Sequence, residues 1–356
     1  MILSSLHLRH WRGYGELDLE FAEGLTAILG PNGAGKTNLA EAIGYLSLAR
    51  SWRTNDERLL IEDGFDEATL SAELRRGERK KRIDVSLSKR EKRISIDGKP
   101  CRKLSELRDF AHVITFCPED VGLFLASPSE RRSCLDVELS KKDEGYFHLI
   151  SRASRILKER NLALKSPSID ERLIDVLTEQ LASVESPIIA KRRSYCETLN
   201  RILPSILSSL RGAETACRLV YLPFVKEGEG VEERALRAHQ QAYEADCLHH
   251  STGVGVHRED FRFEFEGKDV ALYGSQGENR LCALALKLAP SFLIEEDGDK
   301  PIIVLDDVTS ELDPGHRSNL LKFIHGFPQT FLTATDLEVE GASIIDVASH
   351  KATRRN

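Results

Sequence analysis

The sequence predicts an α/β protein whose core is assembled from both chain ends around a mainly helical insertion. Three features carry that expectation. Short alternating strands run into a glycine-rich turn at Gly30, helical periodicity dominates from about residue 130 to 250, and wholly apolar strands return at 301–305 and 331–335.

Residues 2–8, 16–21 and 25–29 read as three strands. The third leads directly into Gly30, Pro31, Asn32, Gly33, Ala34, Gly35, Lys36, Thr37 and Asn38, where a helix opens. This run fits G-x-x-x-x-G-K-[ST], the phosphate-binding loop. Glycines let the backbone curl until successive N–H groups converge on one concavity, and the helix N-terminus adds its positive end. Lys36 is expected to reach the β- and γ-phosphates of ATP, with the Thr37 hydroxyl on Mg²⁺. The plainer alternative is an ordinary glycine turn before a helix.

Farther along, 83–87 and 94–96 alternate around Lys89-Arg90-Glu91-Lys92, which predicts a basic-tipped β-hairpin. Residues 75–108 hold about fourteen Lys or Arg against about five acids. Such a run is either a solvated edge or a contact for a phosphate backbone. A strand at 113–116 ends in Cys117-Pro118-Glu119-Asp120. Helices then follow, punctuated by Pro167, Pro187 and Pro204, without the sustained heptads of a long coiled coil. Residues 227–233, rich in Glu and Gly, read as a loop. A β reading returns at 261–265, and after Gly274-Ser275-Gln276-Gly277 a helix carries Leu281, Leu284, Ala285 and Leu288 on one face.

Composition bounds the partners. The 356 residues carry a net charge of −7, which disfavours nucleic-acid binding by the whole surface and requires a local patch. Seven cysteines without a C-x-x-C pair indicate neither a disulfide framework nor a zinc site. No apolar run is long enough to cross a bilayer, and the first residues alternate like a strand, so a cytoplasmic protein without a membrane partner is expected.

A phosphate-binding loop needs a second strand to supply the carboxylate that serves its metal. Ile302-Ile303-Val304-Leu305-Asp306-Asp307 has that form, with four apolar residues for a buried strand and acids emerging at its C-terminal end. Asp306 is assigned to Mg²⁺ and Asp307 to the attacking water, with Lys36 and Asp307 as the catalytic pair. Two solvated acids at a strand end are the plainer reading.

Thr309-Ser310-Glu311-Leu312-Asp313 follows at once. A phosphate-binding loop, a helical insertion, Ser-x-Gly at a helix start, paired acids and Ser-Glu-Leu-Asp in that order resemble ABC-type ATPase heads. The resemblance implies that two heads sandwich two ATP molecules, so Ser275 and Gly277 act in trans and Asp313 lies at the dimer seam. It narrows to the bacterial RecF family. Leu8-Arg9-His10-Trp11-Arg12-Gly13-Tyr14, the loop through Glu41, Ser51-Trp52-Arg53-Thr54, Pro118 to Asp136 with Arg131-Arg132, and Gly255-Val256-His257-Arg258-Glu259-Asp260 each resemble a family motif.

That resemblance implies lobe I at 1–116 and 285–356, and a mainly helical lobe II at 117–284. It makes Arg12 and Arg53 nucleotide neighbours, and His257-Arg258 a lobe-interface or nucleotide-sensing pair. It further implies an ATP-dependent homodimer that binds gapped DNA at single-strand/double-strand junctions, with RecR and RecO as partners in loading RecA. The DNA surface is expected among the 75–103 hairpin, Arg131-Arg132 and Lys191-Arg192-Arg193.

Departures from the family pattern are Glu278 where an amide is usual, Val256 for proline, Trp11 for phenylalanine and, against transporter heads, Thr335-Asp336 for His-Asp. Thr335-Asp336, the short Asp307 and the lack of an obvious glutamine where Pro118-Glu119-Asp120 stands predict slow hydrolysis. The resemblance implies a weak, DNA-stimulated ATPase. Without clustered metal-binding acids beyond Asp306-Asp307, a nuclease is not expected. A chromosome-organising ATPase without long coiled coils is the alternative. A transporter head would need a membrane partner.

Overall fold

The computed structural model describes residues 1–356 except 103–105, 108–109, 227, 295–299, 311, 338 and 356, so Lys103, Arg108, Glu227 and Glu311 of the motifs above lie outside the described residues. The strands are β1 (Ile2–Trp11), β2 (Tyr14–Glu20), β3 (Gly24–Leu29), β4 (Glu67–Arg76), β5 (Arg79–Ser88), β6 (Lys92–Ile96), β7 (Lys99–Pro100) and β8 (Val113–Phe116). They continue with β9 (Cys217–Leu222), β10 (Asp260–Phe265), β11 (Lys268–Asp269), β12 (Ile302–Leu305), β13 (Gln329–Ala334), β14 (Ser343–Ala348) and β15 (Lys351–Arg355). The helices are α1 (Lys36–Leu48), α2 (Pro128–Lys142), α3 (Glu144–Leu164), α4 (Glu171–Asn200) and α5 (Leu203–Arg211). After these come α6 (Val231–Gln241), α7 (Tyr243–His249), α8 (Val270–Tyr273), α9 (Gln276–Leu288) and α10 (Pro314–Ile324).

Two compact units form: Met1–Val121 with Ser205–Glu214 and Ala283–Asn356, and Gly122–Pro204 with Thr215–Cys282. Helix α5 falls within the span expected for the insertion, yet its residues from Ser205 cluster with the first unit. The division also falls inside α9.

The first unit carries two six-stranded sheets, ordered β2-β1-β4-β5-β6-β7 and β15-β14-β3-β13-β12-β8. The former is antiparallel throughout. In the latter, β14, β3, β13, β12 and β8 run parallel. Every residue of β12 and β13 is buried; β12 is accordingly wholly apolar, whereas β13 buries Gln329, Thr330 and Thr333 among its apolar residues. Leu3, Leu8 and Trp11 of β1 share one core with Leu39 and Ile43 of α1 and Phe331 of β13. A buried amide fixes the two sheets together: Gln329 Nε2 donates to Leu3 O and Ala22 O, both at 2.9 Å, and its Oε1 accepts the Leu3 N–H at 2.7 Å.

In the second unit, α3 packs on α4, α4 packs on α6, and β11-β10-β9 form a small sheet. Ser127 and Glu130 make a capping box at α2, and Asp143 and Asp170 cap α3 and α4. Pro187 does not punctuate the chain; it sits inside α4. Proline removes one backbone donor, but the buried stripe continues through Leu181, Val184, Ile188 and Ile189, and packing carries the helix across. The expected loop at 227–233 is shorter than read. Helix α6 starts at Val231 because Gly230 takes a left-handed φ of 73°, and Glu232 and Glu233 suit the positive end of the first turn. Helix α9 is buried all round from Leu281 to Leu286 rather than on one face.

Candidate nucleotide site

The loop between β3 and α1 has the strained backbone its glycines anticipate. Gly30, Gly33 and Gly35 take φ values of 156°, 77° and 113°. A Cβ on Gly30 would lie 2.1 Å from Val347 O, and one on Gly35 would lie 2.8 Å from the His350 ring. Pro31, Asn32 and Gly33 are exposed at the tip, whereas Ala34, Gly35 and Lys36 are buried. Tyr14 Oη donates to Gly35 O at 3.0 Å, and the His350 N–H donates to Ala34 O at 2.8 Å. Both hold the loop from behind. Lys36 Nζ donates to Gly30 O at 2.7 Å and Pro31 O at 3.0 Å, arching across the concavity. Burial pulls its ammonium below the usual lysine range, against the opposing charges of Asp307 and Asp306.

Strand β13 lies between β3 and β12, so the acids reach the loop across one intervening strand. Thr37 Oγ1 donates to Asp306 Oδ1 at 3.1 Å, and Thr333 of β13 donates to the same oxygen at 2.6 Å. Burial raises the Asp306 carboxyl, and these two hydroxyls hold it back. Asp307 takes φ 50°, an uncommon conformation for an aspartate. Its N–H donates to Thr333 Oγ1 at 2.9 Å, and its carbonyl accepts from Ser310 Oγ at 3.0 Å. Thr333 therefore positions both acids, a role that a threonine within an apolar run does not announce.

Oxygen donors of this kind fit Mg²⁺ with a nucleotide. One hydroxyl and one carboxylate stand in contact, and no group of three or more His, Cys, Asp or Glu gathers among the described residues. Thr37 and Asp306 would hold the ion, and water and phosphate would supply its other ligands.

Beside the first turn of α1, Glu41 is fully buried and gathers two arginines. Arg12 donates to it from Nε at 2.8 Å and Nη2 at 2.7 Å, and Ser51 Oγ donates at 2.5 Å. Arg53 Nη1 donates to Asn38 Oδ1 at 2.9 Å and to Glu41 at 3.4 Å. Two guanidiniums on one carboxylate leave a positive excess next to Asn38. The structure thus brings Arg12, Arg53 and Asn38 together with the loop.

Ser275 and Gly277 belong to the second unit, where both are exposed at the start of α9, and a Cβ on Gly277 would meet open space. Ser275 is capped by its own helix. Its Oγ and N–H both donate to Glu278 Oε2 at 2.8 Å, and the Glu278 N–H returns to Ser275 Oγ at 3.3 Å. Asp313 caps α10 through the Gly315 and His316 N–H groups at 2.9 and 3.1 Å and pairs with the His316 ring.

Other motif residues serve the interior of the second unit. Arg131 grips Asp260 with two bonds of 2.8 and 2.6 Å, and Arg132 donates to Glu259 O. Arg192 is buried between Asp136 Oδ2 at 2.8 Å and Glu259 Oε2 at 2.6 Å. Lys191 pairs with Asp143, and Arg193 with Glu197. Arg131 and Arg192 are therefore committed internally to acids distant in sequence, whereas Lys191 pairs with the half-buried Asp143 and Arg193 with the exposed Glu197 four residues on. On the hairpin, Lys80, Arg82, Lys89, Lys92 and Arg93 each pair with a carboxylate.

Fold and site together define a P-loop ATPase head of the ABC type. The sequence matches the RecF/RecN/SMC N terminal domain family over residues 2–342. Within it the chain belongs to the RecF family. It is 34% identical over 356 residues to the DNA replication and repair protein RecF of Lactobacillus delbrueckii subsp. bulgaricus, spanning 97% of this chain and 93% of that relative. The protein of the same name from Clostridium perfringens is 34% identical over 340 residues, spanning 95% and 94%. The solved structure of the recombination mediator protein RecF-ATPrS in the RecFOR pathway superposes with a TM-score of 0.90 at 31% identity, covering 99% of this chain and 98% of the other. The Smc head domain of Pyrococcus furiosus shares the fold at TM-score 0.60 and 18% identity, covering 99% and 96%.

Proposed function

We propose that the chain is an ATP-dependent DNA-binding protein of recombinational repair. Two copies close on ATP, each offering its 30–37 loop to one face of a nucleotide and Ser275 and Gly277 to the other copy's nucleotide. The dimer holds gapped DNA at single-strand/double-strand junctions and, with RecO and RecR, promotes RecA loading. A slow, DNA-stimulated hydrolysis releases the DNA.

The observation that carries this reading is the hydroxyl of Thr37 meeting Asp306 at 3.1 Å beneath a glycine loop whose lysine is arched over it. Lys36 would bind the β- and γ-phosphates, Thr37 and Asp306 would hold Mg²⁺, and Asp307 would orient the attacking water. Bound Mg²⁺ supplies charge neutralisation at the phosphates. The outward-facing Ser275 and Gly277 support the trans half, since a helix start presented to solvent is open to a second copy. The names of the RecF relatives support the repair setting, and the RecF structures described with ATP support the nucleotide.

Light scattering with and without ATP tests the reading. Wild type should dimerise with ATP, and Lys36→Met and Ser275→Arg should each stay monomeric. Dimerisation of Ser275→Arg at the wild-type level would remove the trans half and leave only nucleotide binding.

A further inference from the structure

A surface on α3 bears on how the second unit meets a partner. This helix buries Tyr146, Ala153, Ile156, Arg160 and Leu164. At roughly 100° per residue, Arg155 and Lys158 lie opposite that stripe and Arg152 flanks it, the three spanning about 120°. All three are exposed, and none makes a side-chain hydrogen bond or ion pair among the described residues. Arg160 on the same helix shows the contrast: it is fully buried and donates to Asp246 at 2.7 Å and Thr252 at 2.8 Å. Between Glu144 and Glu159 the sequence contains no acid, although the chain as a whole has 57 acids against 50 Lys and Arg. Glu144 lies near His148 at 3.7 Å, and the exposed Glu159 follows Lys158 directly, so this face carries three cations against two acids at its ends. Ser151 and Ser154, also exposed, add hydroxyl donors among the cations.

We infer that this face of α3 is a contact track for the phosphate backbone of DNA. Successive cations are separated by about 4.5 Å along the axis. One strand of B-DNA presents a phosphate about every 3.4 Å of axis, so three long side chains on this face can serve two or three consecutive phosphates without reading sequence. The inference rests on the DNA-binding reading above and names a surface for it. That surface is distinct from Arg131 and Arg192, whose charges meet acids within the unit, and from Lys191 and Arg193, which pair with Asp143 and Glu197.

The test uses the full chain with ATP and a gapped duplex over a salt series. Arg152→Gln, Arg155→Gln and Lys158→Gln are combined in one variant. A charge-matched control combines Arg201→Gln, Arg218→Gln and Lys268→Gln, which are exposed cations elsewhere on the same unit. The α3 variant should lose about tenfold in affinity or more, and its log–log salt slope should fall by about two to three. The control should keep the wild-type slope, and both should keep the wild-type melting temperature and ATP-dependent dimerisation. A wild-type slope in the α3 variant, or an equal loss in the control, overturns the inference while leaving DNA binding standing. Unchanged DNA binding with lost binding of poly-glutamate would assign the face to an acidic protein and equally overturn it. Wild type without salt-dependent DNA binding would overturn both this inference and the reading beneath it.

Discussion

Ser275 Oγ donates to Glu278 Oε2 at 2.8 Å, and the same oxygen accepts the Ser275 N–H. The hydroxyl and backbone donor expected to greet a neighbour's phosphate are thus already held by a carboxylate of their own helix. Glutamate and glutamine serve equally as the third residue of a capping box, but only glutamate places a negative charge there.

Glu278→Gln should therefore keep the cap and lower the barrier to an approaching phosphate. The expected outcome is ATP-dependent dimerisation about tenfold tighter than wild type, equivalent to about 1.4 kcal/mol. Melting temperature should be unchanged, because the cap is retained. Sedimentation with ATP at several protein concentrations measures it. Equal dimer constants would reduce Glu278 to a cap.

Thr333 supplies a second prediction. One hydroxyl orients Asp306 and accepts the N–H of Asp307, whose backbone is in the left-handed region. Thr333→Val keeps the shape and deletes both bonds. The Mg²⁺ concentration needed for half-maximal binding of a fluorescent ATP analogue should rise about tenfold, with unfolding free energy lowered by about 1–3 kcal/mol for the buried donor left unpaired. Thr333→Ser should restore the Mg²⁺ requirement. If serine and valine behave alike, the hydroxyl has no positioning role.

The first prediction starts from a residue pair the sequence nearly displays, and the second from one it hides. Ser275 and Glu278 are three apart at a helix start, a spacing that reads as a cap. Thr333 acquires its role only because β13 is inserted between β3 and β12, and strand order is not written in any local pattern. The same contrast holds across the chain. Strand β12 is legible because burial on both faces demands an apolar run, and β3 and β13 because most of their residues are apolar. The edge strand β15, with four of five residues exposed, carries no such signal. Arg131 and Arg192 look like surface cations until the fold brings Asp260, Asp136 and Glu259 to them. Glu41 likewise becomes a hub only when Arg12, Ser51 and Arg53 converge on it.

A pH dependence follows from His257, which sits in the turn after Gly255 and donates from Nε2 to Thr252 O at 3.1 Å. Burial lowers its pKa from 6.5 to about 4; the bond to Thr252 O opposes the shift, and the charges of Arg258, His239 and Arg132 add to it. Between those values the unfolded chain binds a proton at this site that the folded chain refuses. Stability therefore rises with pH across that window, is complete above the unfolded pKa, and is lost as pH falls from about 6.5 toward 4. The slope from this one site should be of order 1 kcal/mol per pH unit. His257→Gln removes the titrating group and keeps a donor for Thr252. Urea unfolding followed from pH 7 to pH 5 should show wild type losing more stability than the variant. Parallel curves would mean that the imidazole is as readily protonated in the folded chain as in the unfolded one, and that the turn after Gly255 does not exclude the charge.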